Sequence, residues 1–254
     1  MGGMEMEFYN KTVIITGGAS GIGLLSGKCF AKEGANVLRV DINEEALKEK
    51  CEEINALGGG GVAYSVTDVR DYNQVCAARD KAVETFGSID IMLNCAGGFE
   101  PRMCNCDKDF IDIPIEVFDW GLDVNLKGPF YFAHAVMRQM VEQQSGVIIN
   151  LGSITGEEGD AQGMAYPTAK AGIMHGLTKS LAMYGAKHHV RAVCVSPGPV
   201  LTRPGMASMK TLLGRAAETQ EIVDFIMYLA SDKAAFITGT NHFIDGGRLA
   251  LKRQ

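Results

Sequence analysis

Short apolar runs recur along this chain, each followed by a longer amphipathic stretch, and that alternation limits the folds open to it more than any other feature. Residues 11–16, 35–40, 61–66, 89–95, 146–151, 190–195 and 242–245 read as strands. Residues 22–33, 44–57, 72–86, 165–185 and 219–230 read as helices, and 115–144 as two helical segments broken near Gly128-Pro129. Runs such as VIIT, IMLN and VIIN are nearly continuously apolar, the mark of strands covered on both faces. Such strands alternating with helices imply βαβ units, a parallel sheet and right-handed crossovers that set helices on both sides. No linker or repeat divides the 254 residues, and the four glycines at 58–61 are too few to separate domains. The reading is one α/β domain over 1–254, a doubly wound three-layer α/β/α sandwich, with 1–9 a mobile leader.

The formal net charge of -6, with no basic block, excludes a surface built to neutralise phosphates, so no nucleic-acid partner is expected. No apolar run approaches the roughly 20 residues of a membrane helix. The acidic opening MGGMEMEFYN lacks the apolar centre of a signal peptide. Seven cysteines, an odd number in a chain of this size, fit free thiols and a cytoplasmic setting. Cys104 and Cys106 supply two thiols where tetrahedral zinc needs four ligands, so no metal is expected.

The first strand runs into Thr16-Gly17-Gly18-Ala19-Ser20-Gly21-Ile22-Gly23 and then a helix. Glycines at 17, 21 and 23 let the backbone turn sharply and approach a pyrophosphate, which the helix N-terminus meets with free N–H groups. The second strand ends at Asp41, where a carboxylate accepts hydrogen bonds from both ribose hydroxyls and repels a 2′-phosphate. NAD is therefore expected over NADP. Arg39 shares a face with Asp41 and would blunt that preference if it reached the ribose. Asp68 follows the third strand, and Asn94-Cys95-Ala96-Gly97 ends the fourth, at the sheet edge where open α/β folds bind ligands.

Tyr166 and Lys170 stand four apart on a predicted helix and share a face. A neighbouring ammonium stabilises a phenolate, so such a pair can act as acid in carbonyl reduction and base in alcohol oxidation. The same spacing also describes an ordinary surface pair. Ser153, on the turn after the fifth strand, adds a hydroxyl to hold the substrate oxygen. Asn125, in DVNLKG, would bind a water that passes protons on from Lys170.

In order along the chain, TGGASGIG, Asp68-Val69, NCAG, the Asn125 segment, Ser153, Tyr166-Pro-Thr-Ala-Lys170, Pro197-Gly198 and Asp245-Gly246-Gly247 resemble the short-chain dehydrogenase/reductase family in its short, single-domain branch. The resemblance implies a Rossmann-type fold with a mainly parallel seven-stranded sheet and an Asn125/Ser153/Tyr166/Lys170 tetrad. It implies a dinucleotide held by Gly17, Ser20, Gly21, Ile22, Gly23, Asp41, Asp68, Val69, Asn94, Ala96 and Gly97. Tyr166 and Lys170 would also meet the cofactor, Lys170 at the nicotinamide ribose. Pro197, Gly198, Val200 and Thr202 would lie near the nicotinamide, Val200 through its backbone N–H. Cys95 departs from the NNAG that the family commonly carries, giving up a hydrogen-bonding side chain. Family members pair through helices like those near 129–144 and 165–185, so a homotetramer or homodimer is implied. Ala169, Ala171, Gly172 and Gly176 would allow close packing there.

Substrate choice in the family comes mostly from the stretches after Gly97, between Ser153 and Tyr166, and after Thr202. Charged side chains in the first two, including Glu157, Glu158 and Asp160, suggest a small alcohol or carbonyl compound such as a sugar, sugar acid or polyol. Phe99, Met206 and Met209 keep two alternatives, a hydroxysteroid dehydrogenase and a 3-oxoacyl thioester reductase. A non-catalytic dinucleotide sensor is the rival class, and the intact Ser153/Tyr166/Lys170 set argues against it.

Overall fold

The computed structural model describes residues 6–56 and 58–251. Strand β1 (Thr12–Thr16) leads through the glycine turn into α1 (Gly21–Lys32), then β2 (Asn36–Asp41), α2 (Glu44–Ala56), β3 (Val62–Val66), α3 (Tyr72–Phe86) and β4 (Ile91–Asn94). A short α4 (Glu100–Met103) precedes α5 (Ile115–Leu122), α6 (Gly128–Gln143), β5 (Gly146–Leu151) and a short α7 (Thr155–Glu158). The chain closes with α8 (Ala165–Ala171), α9 (Thr178–Gly185), β6 (Val190–Pro197), α10 (Thr219–Ala230), β7 (Asn241–Ile244) and α11 (Arg248–Leu251). Each expected strand forms, with ends displaced by at most two residues.

The sheet runs β3-β2-β1-β4-β5-β6-β7, and every pairing is parallel, so the expected "mainly parallel" becomes entirely parallel. Side chains alternate between two apolar layers, as a period of two requires. Val13, Ile15, Leu93, Ile149 and Val193 meet Phe30 of α1 and Ile222 and Ile226 of α10. Ile14, Met92, Ile148 and Ala192 meet Val75 and Ala78 of α3 and Phe132 and Val136 of α6. Each large aliphatic side chain so buried contributes about 1.5–3 kcal/mol. Strand order reverses between β1 and β4, whose ends Thr16 and Asn94 lie in register. That reversal leaves a crevice at the carboxyl ends of the two strands.

One expectation needs correction. The chain does not break at Gly128-Pro129: a π-helical turn, Asp123–Lys127, carries α5 into α6, and Pro129 falls in the first turn of α6, where proline is tolerated. A second π-helical turn, Gly172–Leu177, likewise carries α8 into α9. Within the expected leader, Phe8 is 2% exposed and its ring meets Phe30 edge-on at 4.9 Å. One buried aromatic outweighs the polar residues around it. Residues 1–5 lie outside the described residues, as does Leu57, expected at the end of α2.

Candidate active site

A cleft of about 500 Å³ opens where β1 and β4 part. Gly17, Ser20, Gly21, Ile22, Gly23, Asp41, Asp68, Val69, Ala96, Gly97 and Thr202, all expected at a cofactor, line it. Gly17 and Gly21 have φ of +65° and +54°, which side chains rarely adopt. A Cβ on Gly23 would stand 2.3 Å from the Gly17 carbonyl oxygen. The loop thus lies directly on the start of α1, whose free N–H groups suit a pyrophosphate. The Asp41 carboxylate is fixed beside it, accepting from Ala19 N at 3.1 Å and from Asn43 N at 3.1 Å.

Arg39 does not reach the cleft. It is fully buried beneath the loop, where it donates to the Gly18 carbonyl and lies against Cys51. Burial pushes its pKa down, with Cys51 and Asp41 opposing. Asp68 is taken by Arg70, a cleft residue not anticipated, at 2.6 Å; that bond holds its carboxyl below the usual range, against burial.

Asn94, Pro197, Gly198 and Val200 are not among the residues lining the cleft, and neither are Asn125, Ser153, Tyr166 and Lys170. Asn94, 1% exposed, donates to Asn150 at 2.9 Å, and Asn150 donates to Thr178 at 3.1 Å, tying β4 and β5 to α9. Gly198 N donates to the Ile244 carbonyl at 2.9 Å, and the Val200 carbonyl accepts from Thr202 N at 2.7 Å. Cys95 packs against the first apolar layer, and Thr16 Oγ1 accepts from its backbone N–H at 3.1 Å. Burial pushes the Cys95 thiol up to about 12, against the pull of Lys170.

Helix α8 carries Tyr166 and Lys170. Lys170 is buried and its Nζ donates to the Leu151 carbonyl, at the end of β5, at 2.7 Å. Nζ lies 5.5 Å from the Tyr166 ring centroid, and no carboxylate neutralises it among the described residues. Ser153, also nearly buried, follows β5; its Oγ lies 2.8 Å from Thr155 Oγ1. Asn125 occupies the π-helical turn before α6, a distortion often found at functional sites. Its Oδ1 accepts from Gly98 N at 2.9 Å, and its Nδ2 donates to the carbonyls of Gly98 at 2.9 Å and Gly121 at 2.8 Å. A fully buried amide must satisfy its own groups, and these three bonds clamp the turn after β4. A Cβ on Gly97 would stand 2.5 Å from Asn125 Oδ1 and 3.4 Å from Lys170 Nζ, so both side chains close on that glycine.

Sequence reading missed Glu100. It is fully buried and accepts from Ala165 N at 2.8 Å and Tyr166 N at 3.1 Å. A carboxylate from the turn after β4 thereby caps the helix bearing Tyr166, where free N–H groups and the helix dipole favour it. No local motif announces a cap delivered from 65 residues away. Phe99 adds an edge-to-face contact to the Tyr166 ring at 6.3 Å. Arg102, Met103, Trp120 and Arg203 also line the cleft without having been anticipated. The carboxylates expected to face the substrate are engaged elsewhere. Glu158 pairs with Arg248 at 3.1 Å, Glu157 with His175 at 3.2 Å, and Asp160 accepts from Gln162 N and Gly163 N within its own turn.

Residues 17–248 match the family described as enoyl-(acyl carrier protein) reductase. A solved structure, a short-chain type dehydrogenase/reductase from Mycobacterium marinum, superposes with a TM-score of 0.87 at 32% identity, covering 96% of this chain and 97% of that one. The chain belongs to the short-chain dehydrogenase/reductase family. Within this family it is 37% identical over 250 residues to trans-4-hydroxycyclohexanecarboxylate dehydrogenase of Sinomonas cyclohexanicum, covering 94% of this chain and 93% of that protein. It is 34% identical over 253 residues to 3-oxoacyl-[acyl-carrier-protein] reductase FabG of Thermotoga maritima, covering 95% and 99%. As a short-chain dehydrogenase/reductase it is an oxidoreductase acting on CH–OH groups, on a Rossmann-type fold and with a nicotinamide dinucleotide. No helix among the described residues is long and apolar enough to cross a membrane.

Proposed function

We propose that this chain, a single domain, interconverts a secondary alcohol and a ketone with NAD(H), Tyr166 serving as general acid/base, and that its substrate is a sugar, sugar acid or polyol. The observation that carries this reading is the buried Lys170 ammonium, flanked by the Tyr166 ring and the Gly97 wall of the cleft. In oxidation, Tyr166 Oη takes the proton of the substrate hydroxyl while Ser153 Oγ holds the same oxygen. Lys170 stabilises the Tyr166 phenolate that takes this proton. The bound nicotinamide supplies the hydride acceptor, and reduction runs the same path in reverse. A part for Asn125 in the proton path falls to its backbone carbonyl, since its side chain is engaged.

Gly17, Ser20, Gly21, Ile22 and Gly23 would hold the pyrophosphate, Asp41 the adenosine ribose, and Val200 and Thr202 the nicotinamide end. The preference for NAD over NADP is supported by the fixed Asp41 carboxylate and by the burial of Arg39 away from it. The polar substrate is supported by Arg102 and Arg203 in the cleft and by the hydroxy acid in the name of the Sinomonas relative. A 3-oxoacyl thioester is the second reading, favoured by the apolar strip of Met103 and Trp120. A cytoplasmic setting is supported by seven unpaired thiols, and a homotetramer or homodimer by Phe130, Met183 and Tyr184, exposed on α6 and α9.

The test is cofactor reduction with purified protein, using NAD and NADP against polyols, sugar acids, hydroxysteroids and 3-hydroxyacyl thioesters. Turnover with NAD and a polar alcohol is expected, with Tyr166→Phe lowering kcat by roughly 100-fold or more. Turnover that survives Tyr166→Phe unchanged, or turnover of steroid or thioester alone, overturns the reading.

A further inference from the structure

The cleft has two cationic walls that cofactor binding does not explain. Arg102 stands on α4, in the turn that also carries Glu100, and Arg203 follows Thr202. Both line the same cleft, from segments about 100 residues apart in sequence. Neither meets a carboxylate within 4.0 Å among the described residues. Arg203 Nε donates only to the Met206 sulfur, at 3.2 Å, a weak acceptor. Six of the seven other arginines among the described residues are treated differently; the seventh, Arg138 on α6, also has no carboxylate within 4.0 Å but lies outside this cleft. Arg70, Arg79, Arg215 and Arg248 each have a carboxylate, and Arg39 and Arg191 donate to backbone carbonyls. Two guanidiniums are thus left facing one partly enclosed space in a chain whose formal net charge is -6.

Helix α4 sets Arg102 toward the reacting end: Phe99, at its start, meets the Tyr166 ring at 6.3 Å, and Glu100 on it accepts from Tyr166 N at 3.1 Å. Partial burial and then the charge of Arg203 push the Arg102 pKa down, and Tyr166 pulls it up, so all three groups share one electrostatic neighbourhood. The dinucleotide has its own anion cradle in the glycine loop and α1, and Asp41 stands against a third phosphate. What remains for Arg102 and Arg203 is an oxyanion carried by the other reactant. Guanidinium forks recognise carboxylate and phosphate by paired hydrogen bonds, which fits either group. Met103 and Trp120, beside them, suit the carbon body between that anion and the CH–OH carbon.

We infer that Arg102 and Arg203 form an anion-recognition subsite, and that the substrate is an alcohol bearing a carboxylate or phosphate at the end remote from the carbon oxidised. This deepens the proposed function and rests on it. Among sugars, sugar acids and polyols, it selects the acids and phosphates.

The experiment compares matched alcohols with NAD: sorbitol, gluconate and sorbitol 6-phosphate, and 3-hydroxybutyrate with its amide. Each is assayed with the wild type, Arg102→Gln and Arg203→Gln. The anionic member of a set is expected to have a kcat/KM at least roughly tenfold above its neutral partner. Each substitution should raise KM for the anion by roughly 10- to 100-fold while leaving kcat, KM for NAD and KM for the neutral alcohol within about threefold. Added salt should raise KM for the anion alone. Gluconate ahead of sorbitol 6-phosphate assigns a carboxylate, and the reverse order a phosphate. A rise in KM for NAD in the variants gives the arginines to the pyrophosphate and overturns the inference, as do neutral alcohols turned over as well as anions. If the wild type oxidises none of these alcohols, the proposed function fails by itself. Calorimetric titration of the NAD-loaded protein with gluconate and sorbitol 6-phosphate then still reads the subsite: binding lost in both variants supports it, and no binding, or binding unaltered by them, overturns it.

Discussion

Asp41 and Arg39 show how far a single residue can be read from its neighbours. Strand alternation gives the two a common face of β2, and that was legible. Depth was not: a period of two assigns Arg39 a face of β2 without saying that α1 and the Gly18 turn close over it. Asn125 teaches the same lesson, since its position was legible but the three hydrogen bonds that occupy its amide come from tertiary packing. The proposed preference for NAD then rests on Asp41, whose carboxylate is held in the cleft by Ala19 N and Asn43 N. Asp41→Ala removes the repulsion of a 2′-phosphate and an acceptor for the ribose hydroxyls. The ratio of kcat/KM for NAD to that for NADP is expected to fall by roughly tenfold or more, a shift of about 1.4 kcal/mol. Side-by-side steady-state kinetics with the two cofactors checks it, and an unchanged ratio would place the discrimination elsewhere.

At the scale of elements, the strands were legible because their apolar runs sit between glycines and charged helices. The two π-helical turns were not, because a one-residue expansion of the helix leaves no mark in local composition. The short helices α4 and α7 were also missed, lying inside stretches that read as loops. This matters most for α8, whose first turn has no cap from its own sequence and takes one from Glu100. Glu100→Gln keeps one acceptor and loses the charge, and Glu100→Ala leaves two buried N–H groups unpaired. Charge-assisted bonds of this kind contribute about 1.5–3 kcal/mol each. Thermal melts should therefore order the proteins wild type, then Gln, then Ala. Because the bond is to the N–H of Tyr166 itself, kcat is expected to fall in the same order while KM for NAD stays within about twofold. A melt that drops with kcat intact would leave Glu100 a purely structural cap.

For the whole molecule, the parallel doubly wound sheet was legible from the alternation alone, whereas the association surface was only implied by resemblance. The outer faces of α6 and α9 leave Phe130, Met183 and Tyr184 at 51%, 82% and 53% exposure, more apolar surface than a lone subunit needs to show. Met183→Glu combined with Phe130→Glu should lower the mass found by sedimentation velocity to that of a smaller assembly. A wild type that sediments as a monomer would rule out the proposed association. The strand order carries one more consequence, for synthesis. A chain leaving the ribosome completes the glycine turn and Asp41 early, but β1 must wait for β4 to arrive beside it, and the wall bearing Thr202 emerges far later. The proposed cradle therefore stays half built for most of elongation, and dinucleotide binding is expected only of nearly finished protein.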